Sequence, residues 1–104
     1  MLKDLNKKSI LSTLSSHQQD LEKFEVWRIG LFGSYVKEAA GKDSDVDLLV
    51  DFESEKKTLK NLVELGEFLE DLFSKKLDIV TTPGLSKYIG PHILKEVQYA
   101  SFKS

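Results

Sequence analysis

Cysteine is missing from the 104-residue chain. Disulfides and thiolate metal sites are thereby excluded, and a reducing compartment is compatible with the composition. No apolar run approaches the roughly 20 residues that a membrane span needs. The stretch Met1 to Ile10 has lysines but no apolar segment, so it does not read as a signal peptide. The expectation is a soluble, cytoplasmic protein without membrane contact. Excess charge of either sign is also missing: 15 basic residues face 17 acidic ones, a formal net charge of -2. Neutralising a phosphate backbone takes clustered Lys and Arg, so general nucleic-acid binding is not expected. There is no internal repeat, low-complexity tract or linker. The length predicts one domain over residues 1–104, too short for a catalytic domain plus a separate substrate domain. Any large acceptor substrate would therefore lie mostly outside the chain.

The hydrophobic pattern divides the chain into alternating helices and strands. Residues from about 4 to 23 read as a helix, with Leu5, Ile10, Leu14 and Leu21 near helical spacing. Val26 to Phe32 (VWRIGLF) reads as a strand ended by Gly33-Ser34, and Tyr35 to Ala40 as the start of a short helix. Gly41 to Ser44 is a turn by composition, and Val46 to Phe52 (VDLLVDF) a second strand. Thr58 to Phe73 is the clearest helix, with Leu59, Leu62, Val63, Leu69 and Phe73 on one stripe. Leu77 to Thr81 is a third strand, Pro83-Gly84 a turn, and Pro91 suits the first turn of a last helix whose Ile93, Leu94 and Val97 face inward. The expected fold class is α+β (α/β-like): a small mixed sheet flanked by helices.

Acidic residues sit inside two of these strands. Side chains alternate along a strand, so Asp45 and Asp47 share one face with their Cα atoms about 7 Å apart. Val46, Leu48, Val50 and Phe52 take the opposite face, toward a core. Two like charges on one face repel unless a cation lies between them. Mg²⁺ suits such hard oxygen ligands, typically one or two carboxylates plus substrate phosphates. Asp51 continues the face but is expected to meet solvent. Asp78, within the apolar Leu77-Asp78-Ile79-Val80, is costly there unless paired or metal-bound. If the third strand neighbours the second, three carboxylates could hold two metals. Gly33-Ser34 between a strand and a helix start would present backbone N–H groups to a phosphate, and Lys37 would add positive charge.

Each feature also has a plain structural reading. Gly33-Ser34 can be a strand-end turn with Ser34 as a cap, Asp45-x-Asp47 the solvated face of an edge strand, and Asp78 a carboxylate on a sheet edge. His17 and His92 read as surface or packing residues, the charged face of Thr58 to Lys76 as a solvated helix surface, and Trp27 as core. Tyr35 suits either stacking on a nucleobase or a rim contact. Phosphatases and glycosyltransferases with D-x-D place it after an apolar strand; here the apolar run follows the pair, which argues against both.

Gly33-Ser34 followed after ten residues by Asp45-x-Asp47 resembles the signature of the DNA polymerase β-like nucleotidyltransferase superfamily. Among its members the chain resembles the minimal nucleotidyltransferase (MNT) domains, over LFGSYVKEAAGKDSDVDLLVDF and KLDIVTTPGLSKYI. The resemblance implies phosphate binding by Gly33 and Ser34, with Lys37 beside them, and Mg²⁺, as two ions, held by Asp45, Asp47 and Asp78. Lys37 and Glu38 stand where family members often carry Arg and Gly. The implied activity is transfer of AMP from ATP, the nucleoside triphosphate substrate, to a hydroxyl. The implied role is antitoxin to a helical HEPN-domain toxin partner, with a tyrosine as acceptor, in a homo- or hetero-oligomer. Two alternatives stay open: an antitoxin that neutralises its partner by binding alone, and a nucleotidyltransferase for a small molecule.

Overall fold

A computed structural model describes residues 5–53 and 58–103. Two short helices come first, α1 (Lys7–Ser16) and α2 (Gln18–Lys23). Asn6 caps α1: its side chain accepts the Ser9 N–H at 2.8 Å, and the Ser9 hydroxyl accepts the Asn6 N–H at 3.0 Å. The single helix expected from about residue 4 is therefore two, and residue 4 itself lies outside the described residues. The break falls at His17, whose backbone leaves helical geometry (φ -105°, ψ 24°). The His17 ring packs edge-on against Phe68, and its Nδ1 lies 2.9 Å from the Thr13 carbonyl, so this histidine is a packing residue.

The strands follow: β1 (Val26–Phe32), β2 (Val46–Phe52), β3 (Leu77–Thr81) and β4 (Gln98–Tyr99), with α3 (Leu59–Phe73) between β2 and β3 and α4 (Gly90–Glu96) before β4. They form one sheet in the order β3-β2-β1-β4, in which β2 runs antiparallel to β1 and parallel to β3. This is the mixed α+β sheet expected, plus one strand. The two-residue β4 is too short to show periodicity; it pairs with Gly30 and Leu31 of β1. Gly30 leaves the room for it, because a β-carbon there would stand 2.6 Å from Val97 Cγ2 and 2.9 Å from Tyr99 Cδ1.

The two faces of the sheet bury different things. One carries the main core, where Ile29, Leu31, Val46, Leu48, Val50 and Phe52 meet Ile10 and Leu14 of α1, Leu21 of α2, and Leu65, Leu69 and Phe73 of α3. Each fully buried side chain of this kind contributes about 1.5–3 kcal/mol. Thr58 caps α3 by accepting the Asn61 N–H at 3.0 Å. The apolar stripe of α3 is rotated from the expected one: Leu59 and Val63 point to solvent, and Leu65 is buried instead. The other face carries a smaller cluster of Phe32, Leu49 and Ile93, with Val80, Leu85, Val97 and Tyr99 packed on it. Ile93 and Val97 face inward as expected, whereas Leu94 is 49% exposed.

Two residues of β1 and β2 reverse their expected places. Trp27 is 48% exposed rather than core, because the β1–β2 register shifts between Val26 and Arg28 and turns it outward. Asp51 is buried rather than solvated: Arg28, its cross-strand partner, donates from Nε to Asp51 Oδ2 at 2.8 Å. The Arg28 guanidinium in turn stacks 4.2 Å from the Tyr99 ring centroid and 4.7 Å from that of Trp27.

Candidate active site

The site lies where β1 ends and β2 and β3 begin. Register does most of the assembly. Phe32 is paired with Asp47 across β1–β2, and Asp47 with Asp78 across β2–β3. Neighbouring strands lie about 5 Å apart, so the two aspartates stand side by side on the face opposite the main core. Asp45 precedes β2 on the same side and is exposed, as is Asp78; Asp47 is half-buried. Asp51, four residues along β2, sits about 13 Å away by strand rise and belongs to the Arg28 pair instead.

Gly33 completes the wall. Its φ of +80° is a left-handed conformation that glycine adopts without strain. A β-carbon there would run into the Asp47 carboxylate, whose carboxyl carbon would be 3.0 Å away. The turn can therefore lie directly against Asp47 only because this residue is glycine. Gly33–Tyr35 forms a 3-10 turn, not the start of an α-helix, and the chain then bends back: the Lys37 N–H bonds the Gly33 carbonyl at 3.2 Å and the Ala39 N–H the Ser34 carbonyl at 2.9 Å. Tyr35 is only 6% exposed and packs in the main core, so neither base stacking nor a rim contact is open to it.

The electrostatics centre on Asp47. Its carboxyl is pushed up from 3.8 to about 6, first by burial and then by the negative charges of Asp78, Asp45 and Glu96. Glu96 has no counterpart among the residues singled out in sequence. It ends α4, and its Oε2 accepts the Gly33 N–H at 2.5 Å while its Oε1 pairs with Lys37 Nζ at 3.5 Å. Nothing in the pattern around Lys95-Glu96-Val97 marks it; only the packing of α4 brings it to the turn. Glu38 turns away toward Lys7, at 3.8 Å, and adopts φ +57°. This is a backbone conformation that glycine adopts without strain. Among the described residues no three Asp, Glu or His side chains converge tightly enough to enclose an ion unaided. Hard carboxylate oxygens with an unrelieved mutual repulsion nevertheless fit Mg²⁺, whose remaining ligands usually come from phosphates and water.

Residues 11–100 match the family model described as "Nucleotidyltransferase domain". The chain belongs to the nucleotidyltransferase family. It is 45% identical over 96 residues to "Protein adenylyltransferase MntA" of Thermococcus cleftensis, covering 91% of this chain and 96% of that protein. A solved minimal nucleotidyltransferase superposes with a TM-score of 0.78 at 28% identity, covering 93% of this chain and 98% of the other. An MNT antitoxin in complex with a tri-AMPylated HEPN toxin from Shewanella oneidensis shares the fold alone, with a TM-score of 0.62 at 17% identity over 89% of this chain and 73% of that one. Within this nucleotidyltransferase domain, Gly33, Asp47 and Asp78 stand together as the candidate site.

Proposed function

We propose that this nucleotidyltransferase is a protein adenylyltransferase and antitoxin, which moves AMP from ATP to a tyrosine hydroxyl of a HEPN-domain toxin. The observation that carries the reading is the Asp47–Asp78 pair, in register on β2 and β3 with the Gly33 turn packed against Asp47. In the reaction the acceptor oxygen bonds to the α-phosphorus, the bond from that phosphorus to the oxygen bridging to the β-phosphate breaks, and pyrophosphate leaves. Asp45 and Asp47 would hold the triphosphate's Mg²⁺, and Asp78 with Asp47 a second ion. Bound there, Mg²⁺ neutralises triphosphate charge and lowers the cost of ionising the acceptor oxygen. Gly33 and Ser34 bind the pyrophosphate portion, with Lys37 offsetting its charge. Asp78, exposed at the sheet edge, faces the approaching acceptor and takes part in removing its proton. Positioning and electrostatics supply the acceleration, since the chain needs no covalent intermediate. The Thermococcus relative, a protein adenylyltransferase, supports a protein acceptor, and the tri-AMPylated HEPN toxin of the Shewanella complex supports the choice of partner.

Incubation with Mg²⁺, α-labelled ATP and the helical partner tests this reading. Label on the partner's tyrosine, lost in Asp47→Asn and Asp78→Asn, is the expected result. Neutralisation of the toxin by both variants with no transfer by the wild type would replace it with the antitoxin that acts by binding alone. One observation favours that second reading: the Gly33 amide and Lys37 are both engaged by Glu96.

A further inference from the structure

Glu96 sits where a ligand would be expected. Its two carboxylate oxygens take a backbone N–H of the glycine turn and the ammonium of Lys37, at 2.5 and 3.5 Å. Those are a donor and a cation of the kind that cradle phosphate oxygens. The Glu96 side chain is 23% exposed, so the carboxylate is partly desolvated, whereas Lys37 reaches it from the surface with its side chain 63% exposed. It is also an unfavourable place for a fourth acidic group, beside Asp45, Asp47 and Asp78. Were Glu96 merely anchoring α4, a neutral acceptor would serve equally well. Helix α4 is already fixed by Ile93 in the smaller core and by β4 on β1.

We propose that Glu96 is an internal anion that occupies the phosphate position of the Gly33–Lys37 turn, and that the nucleotide's phosphates bind by displacing it. This rests on the nucleotide reading of the site. The carboxylate keeps the left-handed Gly33 turn and Lys37 arranged for an anion while nothing else is bound. Its departure on nucleotide binding moves a negative charge away from Asp47 as the triphosphate arrives. Glu96 is thus a positioning residue that sets nucleotide affinity. It also links the phosphate position to α4, which carries the exposed Leu94.

The test is Glu96→Gln, which keeps shape and a neutral acceptor but removes the charge that competes. Calorimetric titration of the full chain with Mg·AMP-PNP is expected to give affinity roughly tenfold tighter than wild type, the worth of one charge-assisted hydrogen bond. The gain is expected to shrink severalfold in a Lys37→Ala background, where the shared cation is gone. In wild-type protein the Glu96 carboxyl carbon resonance is expected to move toward its solvent-exposed value as Mg·AMP-PNP saturates, a readout independent of any variant's folding. Binding by the wild type with an unchanged or weakened Glu96→Gln, or a carboxyl resonance that stays put, overturns the displacement. If wild type and variant alike bind no nucleotide, the nucleotide reading falls and this inference with it.

Discussion

Asp47 is expected to destabilise the protein that carries it. A carboxyl moved from 3.8 to about 6 on folding binds its proton more tightly in the folded chain than in the unfolded one. Below about pH 4 both states are protonated and Asp47 has no effect on stability. Between pH 4 and 6 the unfolded chain loses the proton first, and stability falls. Above pH 6 the full cost is present. The displacement corresponds to about 3 kcal/mol. Because Asp47 is only half-buried, screening by water reduces this to roughly 1 kcal/mol. Asp47→Asn removes the charge at nearly constant volume, so in EDTA at pH 7.5 it should raise Tm by about 4–8 °C for a domain of this size. The gain should fade as the pH is lowered and vanish near pH 4. Mg·ATP should reverse the order, stabilising the wild type and leaving the variant unmoved. Thermal unfolding followed by circular dichroism across that pH range measures all three. A variant no more stable than wild type at pH 7.5, or a gain independent of pH, would refute the charge-repulsion argument.

Further outcomes follow from the same contacts. Gly33→Ala forces a β-carbon onto Asp47 at a positive φ, so it should cost about 1–3 kcal/mol in denaturant unfolding and abolish AMP transfer; near-wild-type activity would show that the turn lies elsewhere. Arg28→Met strands the buried Asp51 and, with the Arg28 side chain 39% exposed, should cost about 1–3 kcal/mol. Adding Asp51→Leu should recover most of that loss, and an additive double variant would argue against a coupled pair. Trp27→Lys, on the outward bulge, should change stability by less than about 1 kcal/mol; a larger loss would return Trp27 to the core.

How much of this was legible in the sequence depends on how local the cause is. Alternation within VDLLVDF put Asp47 and Leu48 on opposite faces, and the glycine after VWRIGLF marked where β1 ends. The chain ranges of β1, β2, α3 and β3 follow from patterns confined to each segment. So does the family, because its signature is a spacing along the chain. Pairing is not local. That β3 adds in parallel beside β2, bringing Asp78 level with Asp47, was a condition in the sequence and became a fact only in the sheet. Asp51 repeats the alternation of Asp47 faithfully, yet one belongs to the site and the other to a buried ion pair, because Arg28 stands across from only one of them. Trp27 is apolar by type and exposed by a one-residue shift of register. Glu96 is the extreme case: 63 positions separate it from Gly33, and nothing nearer than the packing of α4 makes it part of the site. The sequence by itself determined which chemistry the chain could carry. Tertiary structure decided which charges stand together, because electrostatic cost depends on distance and burial, and neither exists until the strands are in register.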